Sequence, residues 1–189
     1  MERNAMIDRR TFLKRSAVGA VGAAGVLALP VPSWSDSESG TSNVGLDAAL
    51  RESPYVYVSP LRSNGEESTC HGEVWYAWID GAVVVTVASD RWKARAIDRG
   101  LDRARIWVGD HGRWKGLVGR NEDFRKAPAF EARAEKLWDA ELLDRLLAEY
   151  DRKYPGSIDR WRDRMKAGNA DRSRVLIRYE PIGEAPSPG

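Results

Sequence analysis

The stretch "HGEVWYAWIDGAVVVTVASDRWKARAI", residues 71–97, decides the fold prediction because it changes from a strand pattern to a helix pattern. Two runs rich in Val, Trp and Tyr flank the pair Asp80-Gly81. Asp-Gly between such runs is typical of a tight β-hairpin, since both central positions need a positive φ. After Ala88 the composition becomes helical and rich in cations, and Gly100 is suited to end a helix. We therefore predict a hairpin followed by a helix at Asp90–Arg99.

The first strand of this hairpin is apolar or aromatic on both of its faces. Successive strand residues point to opposite sides of a sheet. One side carries Val74, Tyr76 and Trp78, and the other side carries Trp75, Ala77 and Ile79. Such a strand needs cover on its outer side as well as on its core side. We expect that cover to be a helix of the same chain or a second subunit, and the second case predicts a homodimer.

The rest of the chain alternates short β-type runs with helix patterns. We predict strands at Tyr55–Leu61, Ser68–Ile79, Ala82–Val87, Arg103–Gly109, Trp114–Val118, Phe130–Glu135 and Arg174–Pro181, with a long helix at Ala140–Tyr154. Asp139 is placed to cap the long helix, and Ser157 to cap a short segment after it. Asp110-His111-Gly112 is typical of a further hairpin turn.

This order of elements predicts a mainly β (β+α) fold. Closely spaced antiparallel strands are stabilised by closing into a barrel, because closure removes exposed sheet edges. We therefore predict a small antiparallel β-barrel with a helix after the third strand and a long helix before the last strand.

Residues 1–35 have the layout of an export signal peptide. Arg9-Arg10-Thr11-Phe12-Leu13-Lys14 precedes an uncharged Ala/Gly-rich run and the small-residue trio Ser33-Trp34-Ser35. The run is too weakly apolar for a stable membrane helix, and no cysteine lies near the junction for a lipid anchor. The paired arginines resemble the twin-arginine (Tat) motif, which a translocase for folded proteins reads. We predict a periplasmic or extracellular protein without a stable membrane anchor.

Removal of this signal changes the charge of the chain. The sequence has 30 basic and 28 acidic residues, and residues 1–35 hold five of the basic ones and two of the acidic ones. The remainder is therefore close to neutral, which argues against nucleic acid as a partner. We expect residues 36–52 to be a flexible leader, residues 53–183 to be one domain, and residues 184–189 to be a disordered tail.

Cys70 is the only cysteine, so the chain has no internal disulfide bond. Its neighbour His71 does not make a Cys-His nucleophile with it, because adjacent strand residues point to opposite faces. Two histidines and one cysteine without ligand spacing also do not predict a metal site.

The order of elements, with residues 71–97 at its centre, resembles the pyridoxamine 5'-phosphate oxidase-like split-barrel superfamily. The matching segments are the Val-Trp-Tyr-x-Trp strand with its Asp-Gly turn, the strand that leads to the Lys93 helix, "EARAEKLWD" (residues 131–139) and "RVLIRYEP" (residues 174–181). The resemblance implies a split β-barrel that binds FMN or a deazaflavin between the two subunits of a homodimer. The full set of phosphate-binding and substrate-binding arginines of true pyridoxamine-phosphate oxidases is absent, so vitamin B6 oxidation is not implied.

In this superfamily a Lys or Arg just beyond the third strand contacts the cofactor phosphate. The matching residue is Lys93, with Arg91 and Arg95 beside it and Thr86 and Ser89 as hydroxyl donors. Backbone N–H groups at a helix start, together with an ammonium, form an anion pocket that needs no metal. The alternative is a solvated helix start whose cations pair with nearby carboxylates.

Aromatic side chains supply the candidates for contact with a flavin ring. Trp75, Trp92 and Trp107 are able to stack on such a ring or to pack in the core. Ser59, at the end of the first strand, is placed by the resemblance at the ring edge. His111 lies in a predicted turn, as a solvated side chain or as a haem ligand.

Together these features predict an exported protein that binds a flavin-type cofactor and acts as an oxidoreductase on a small molecule. A flavin transfers hydride itself, so the absence of an evident catalytic triad does not argue against an enzyme. The alternative is a haem or flavin carrier of the same fold, without an activity of its own.

Overall fold

Residues 39–112, 115–116 and 119–183 are the part of the chain that the computed structural model describes. The helices are α1 (Ser39–Glu52), α2 (Trp92–Asp98), α3 (Ala140–Lys153) and α4 (Asp159–Ala170). The strands are β1 (Val56–Pro60), β2 (Gly72–Val74), β3 (Ala77–Ile79), β4 (Ala82–Ala88), β5 (Arg103–Val108), β6 (Lys115–Gly116), β7 (Gly119–Arg120), β8 (Ala129–Leu137) and β9 (Arg174–Pro181). The predicted signal peptide, the predicted tail and Trp114 lie outside the described residues.

Seven of these strands form one antiparallel sheet in the order β2-β1-β5-β8-β9-β4-β3. The two edge strands, β2 and β3, are separated in sequence by only Trp75 and Tyr76. Because both edges belong to one bent segment, the sheet curls on itself into a split β-barrel. The predicted fold class, with a helix after β4 and a long helix before the last long strand, is confirmed.

The bend between β2 and β3 has a specific cause. The sequence pattern predicts one strand over Ser68–Ile79, but at the bend the Tyr76 backbone N–H donates to the Tyr154 hydroxyl, 3.1 Å away. That hydroxyl in turn donates to the Pro54 carbonyl at 2.6 Å. The Tyr154 hydroxyl, just after α3, therefore takes the place of a neighbouring strand as the hydrogen-bond partner of the backbone at this point. The predicted strand is thus divided into β2 and β3.

The hairpin between β3 and β4 forms as predicted. Asp80 and Gly81 both have positive φ, 49° and 72°, and Ile79 pairs with Ala82 across the turn. β4 then pairs with β9 from Val83 with Tyr179 to Ala88 with Arg174. This register brings the start of the last strand beside the start of the segment that leads into α2.

Both faces of the sheet are covered by this chain. Val83 and Val85 belong to an inner cluster with Leu46 and Leu50 of α1, whereas Val84 belongs to an outer cluster under α3 and α4. The two-sided apolar pattern of the hairpin is thus explained by helix cover. A second subunit is not needed to explain it.

Three further local predictions differ from the structure. The predicted leader at residues 36–52 contains α1, whose Leu46 and Leu50 are buried against the sheet. Ser157 does not cap the following helix, because Ile158 occupies the cap position and α4 runs on to Ala170. Asp110-His111-Gly112 does not turn a hairpin, since β5 pairs with β1 and β8. Among the described residues, no helix has the length and apolar character to cross a membrane.

Candidate functional site

Arg174, the first residue of β9, lies where two cavities meet. It lines an aromatic cavity of about 300 Å³ and a second, arginine-lined cavity of about 460 Å³. Both volumes fall in the range of small-molecule sites in proteins. The pairing of Ala88 with Arg174 places this residue at the border between the sheet and α4.

The aromatic cavity has a rigid wall. It is lined by Val74, Trp75, Thr86, Tyr150, Trp161, Met165 and Arg174. The Trp75 ring stacks on Tyr154 with 4.4 Å between centroids and 8° between planes. The Tyr150 hydroxyl donates to the Trp75 carbonyl at 2.8 Å, and burial raises the pKa of Tyr150 well above its usual value, so this phenol stays neutral. The wall therefore offers flat apolar surface to a ring.

The arginine cavity adjoins it and is more polar. Its lining residues are Ala88, Ser89, Asp90, Arg164, Ala167, Gly168, Asp171, Ser173 and Arg174. Among the described residues, neither Arg164 nor Arg174 takes part in an ion pair with a carboxylate. Asp171 accepts a hydrogen bond from the Ser173 backbone N–H at 2.8 Å, and Asp90 lies 3.9 Å from Arg91. The cavity thus holds two guanidinium groups without an ion pair among the described residues, together with the carboxylates of Asp90 and Asp171.

Arg174 is held from the side of β4. Its guanidinium donates to the Thr86 carbonyl at 3.1 Å and to the Thr86 hydroxyl at 3.4 Å. Burial lowers the pKa of Arg174, and repulsion from Arg164 lowers it further. Two like charges that repel each other beside a cavity are stabilised by an anion placed between or next to them.

One face of α4 forms the wall that the two cavities share. Trp161 and Met165 line the aromatic cavity, and Arg164 and Gly168 line the arginine cavity. These positions are three or four residues apart, so they lie on one side of the helix. The Arg164 guanidinium also lies over the Trp161 ring, 5.7 Å from its centroid. α4 thus presents an aromatic ring and a cation next to each other.

The structure brings only some of the predicted site residues to the two cavities. Trp75 and Thr86 line the aromatic cavity, and Ser89 lines the arginine cavity, where its hydroxyl donates to the Arg172 carbonyl at 2.7 Å. Lys93, Arg91, Arg95 and Ser59 do not line either cavity. Three of the seven predicted residues therefore lie together.

Lys93 is half-buried in a different place. Its ammonium lies over the Trp92 ring, 4.3 Å from the centroid, and so close to Gly72 that a Cβ there would overlap it. Burial lowers the pKa of Lys93 to about 8, and an electrostatic interaction with Cys70 opposes that shift. The ammonium has no hydrogen-bond acceptor among the described residues. Its role in holding an anion stays a prediction.

Arg91, which precedes α2, and Arg95, within it, are both exposed. Arg91 extends into solvent beside Asp90, while Arg95 lines a third cavity of about 290 Å³ with Cys70, Trp92 and Arg99. Among the described residues, no group of three or more His, Cys, Asp or Glu side chains is arranged to hold a metal ion.

Ser59 is fully buried and bonded to His71. The Ser59 hydroxyl and His71 Nδ1 are 2.7 Å apart, and His71 Nε2 lies 3.2 Å from the Arg125 guanidinium. A guanidinium only donates, so Nε2 accepts and the proton of the neutral ring is on Nδ1. His71 then donates to Ser59, which is opposite to the arrangement that activates a serine nucleophile.

The other ring-bearing candidates lie away from the two adjoining cavities. Trp92 lines the third cavity beside Lys93, and Trp107 lies edge-on to Phe124 at 6.0 Å between centroids. His111 is half-buried in the segment that follows β5, where its backbone N–H donates to the Tyr57 hydroxyl at 2.9 Å. None of these three lines the aromatic or the arginine cavity.

Sequence reasoning missed Arg174, Arg164, Trp161, Met165 and Tyr150. Tyr150 belongs to the apolar stripe of α3, and the charges of α4 have the pattern of a solvated helix face. The sequence does contain one signal for this site, the spacing of Trp161, Arg164, Met165 and Gly168. On a helix this spacing puts an aromatic ring, a cation and a glycine without a side chain on one face. That these residues line the cavities together with Arg174 follows only from the fold.

No protein-family model matches this sequence, and no curated protein is similar to it at a significant level. Several solved structures are similar in fold. A conserved hypothetical protein from Mycobacterium tuberculosis is 20% identical, with 73% of this chain and 80% of that chain covered and a TM-score of 0.49.

Two further solved structures are similar at lower identity. HutZ, the haem storage protein from Vibrio cholerae, is 15% identical, with coverages of 74% and 89% and a TM-score of 0.48. A putative pyridoxamine 5'-phosphate oxidase from Listeria innocua is 9% identical, with coverages of 75% and 94% and a TM-score of 0.47. At these sequence identities and TM-scores the similarity concerns the fold and not the ligand of this chain.

Proposed function

We propose that this chain binds a flavin-type cofactor, FMN or a deazaflavin, and uses it to oxidise or reduce a small molecule. One observation supports this proposal above the others: an aromatic cavity adjoins, at Arg174, a cavity with two arginines that form no ion pair among the described residues. A flavin nucleotide has the same two parts, a planar apolar ring and an anionic end. The sequence resemblance to flavin-binding split barrels points to the same class of ligand.

The residues present fit such a molecule. Trp75, Trp161 and Met165 would contact the ring, and Arg164 and Arg174 would hold the anionic end. A bound flavin supplies the hydride transfer, so the protein's part is to bind, to orient and to exclude water. Tyr150, whose hydroxyl is committed to the Trp75 carbonyl, keeps the ring wall in place without exchanging a proton.

The visible spectrum of the full-length protein tests the proposal. We expect the protein, purified from the cytoplasm, to carry or take up FMN or a deazaflavin, with an absorption band shifted from that of the free cofactor. Haem is the competing ligand and is recognised by its own intense absorption band. A protein that binds neither FMN nor a deazaflavin contradicts the proposal, whether it is colourless or binds haem alone.

Turnover separates an oxidoreductase from a carrier. The loaded protein is mixed with pyridine nucleotide and with a panel of small electron acceptors, and the absorbance of the bound cofactor is followed. Repeated reduction and oxidation support the enzyme. Tight binding without any turnover supports the alternative, a cofactor carrier.

We also propose that the protein is exported by the twin-arginine pathway. The support is the sequence pattern of Arg9-Arg10 and the apolar run after it. A pathway for folded proteins suits a protein that takes up its cofactor before export. Cell fractionation of wild type and of an Arg9→Lys, Arg10→Lys double variant tests this, and the variant is expected to stay in the cytoplasm.

We propose a homodimer as the working form. The exposed Trp138 and Trp161 support this, since large aromatic side chains are enriched at interfaces. Analytical ultracentrifugation of the full-length protein measures the state directly, and a single monomeric species at micromolar concentration contradicts the proposal.

A further inference from the structure

We infer that the site selects ligands that end in a phosphate monoester, and that Gly168 is the residue that positions Arg174 for this selection. The inference rests on the proposed function and makes it more specific. It assigns the anionic end of the ligand to the junction of α4 and β9, rather than to Lys93 at the start of α2.

Glycine at position 168 leaves room for the Arg174 side chain, and a larger residue at position 168 would not. It lies in the last turns of α4 and is buried. A Cβ built on Gly168 would come within 2.5 Å of Arg174 Cγ, 2.7 Å of Cδ and 3.1 Å of Cβ. The stem of Arg174 therefore runs along bare helix backbone, and any side chain at position 168 would displace it.

Arg174 is fixed from the opposite side as well. Thr86 accepts from its guanidinium with both the backbone carbonyl and the hydroxyl, at 3.1 and 3.4 Å. A guanidinium held between a helix and a strand loses little freedom on binding, so its interaction with an anion is preorganised. Movement of the stem would aim the same charge elsewhere.

The two guanidinium groups favour an anionic group in this cavity, which Asp90 and Asp171 also line. Arg164 and Arg174 have no ion pair among the described residues, and the carboxylates of Asp90 and Asp171 are directed to Arg91 and to the Ser173 backbone. A phosphate monoester carries a charge of about −1.5 to −2 at pH 7 and offers three oxygens to donors. It therefore neutralises two arginines, whereas a neutral ring with a hydroxyl tail leaves both uncompensated.

A simpler role for Arg174 would be to complement the negative end of the α4 dipole, which attracts cations. In that case the substitution of Gly168 changes stability but not the preference between ligands. The ratio of two affinities is therefore the informative readout, because a purely structural effect changes both affinities alike.

The experiment compares two pairs of ligands that differ only in the phosphate. FMN and riboflavin, and also 5-deaza-FMN and 5-deazariboflavin, are titrated against full-length wild-type protein, Gly168→Ala and Arg164→Gln, and binding is followed by ring fluorescence. Gly45→Ala is the matched control, since Gly45 is also a helical glycine but has open space around its Cβ position. Arg164 is exposed, so its variant tests the charge without a risk to folding.

We expect wild type to bind the phosphorylated ligand of a pair about tenfold or more tightly than the unphosphorylated one, as two charge-assisted contacts would give. Gly168→Ala and Arg164→Gln should each lose most of that ratio by weaker binding of the phosphorylated ligand alone, whereas Gly45→Ala should keep it. Equal affinities in wild type, or a full ratio in Gly168→Ala, would overturn the inference. Failure to bind any of the four ligands would instead contradict the proposed function itself.

Discussion

The Trp75 ring lies flat on the Tyr154 ring, 4.4 Å between centroids, directly beside the bend that separates β2 from β3. Tyr154 therefore does two things at one point. Its ring supports a wall of the aromatic cavity, and its hydroxyl satisfies the Tyr76 backbone N–H at the bend. The split of the sheet and the shape of the candidate site depend on the same residue.

Tyr154→Phe should lower the free energy of unfolding by about 1–3 kcal/mol, because the buried Tyr76 N–H loses its acceptor. The ring stack on Trp75 remains. Urea unfolding followed by tryptophan fluorescence measures the loss. Tyr179→Phe is the control, since the Tyr179 side chain is also buried but its hydroxyl forms no hydrogen bond within the described residues. An equal loss in both variants would show that the hydroxyl at the bend is not special.

The free energy of unfolding should increase as the pH rises from about 8 to 10.5, because the half-buried Lys93 loses its proton over this range. Burial lowers the pKa of Lys93 to about 8 in the folded state. Between these two values the unfolded chain binds more protons than the folded one, so stability increases with pH. Lys93→Met should raise stability at pH 7 and weaken this rise. Lys153, whose pKa burial also lowers to about 8, keeps the remaining dependence.

The same titration reports on the role of Lys93 in binding. If the ammonium holds the anionic end of a ligand, as the sequence resemblance implies, FMN should raise the pKa of Lys93. If the anion is held at Arg174, that pKa should not change on binding. NMR observation of the lysine side-chain amine distinguishes the two, and a raised pKa in the bound state would contradict the assignment to Arg174.

Ser59→Ala should destabilise the protein by about 1–3 kcal/mol, because it removes the acceptor of His71 Nδ1–H inside the barrel. Ser68→Ala, which removes a hydroxyl bonded to the Cys70 carbonyl at the surface, should cost less. Thermal unfolding of both variants measures the difference. Labelling of Ser59 by a fluorophosphonate would contradict the tautomer assigned to His71, since a serine that accepts from histidine is not activated.

Local chemistry made part of the fold predictable. Asp80-Gly81 defines the hairpin through two positive φ angles, and Asp139 caps α3 by accepting from the Leu142 backbone N–H at 3.0 Å. Both features act within a few residues, so the sequence pattern is sufficient. The β4 and β9 strands were also visible as isolated runs.

The candidate site was not visible in the same way. The contact of Arg174 with Thr86 joins residues 88 positions apart, and it depends on the pairing of β4 with β9. α1 was missed for a related reason, because its two buried leucines stand among small polar residues and gain their burial only from the sheet. Arg174 and the leucines of α1 thus carry no local signal, whereas the spacing of the site residues along α4 does.

The most direct test of the account is calorimetric titration of FMN and 5-deaza-FMN into wild-type protein and Arg174→Gln. Arg172→Gln serves as the control, because Arg172 is an exposed neighbour that lines neither cavity. We predict that wild type and Arg172→Gln bind one of the two ligands with equal affinity, and that Arg174→Gln binds it at least about tenfold more weakly. This is the loss expected for a half-buried charge-assisted contact. Unchanged affinity in Arg174→Gln would contradict the claim that the cofactor lies at the junction of the two cavities.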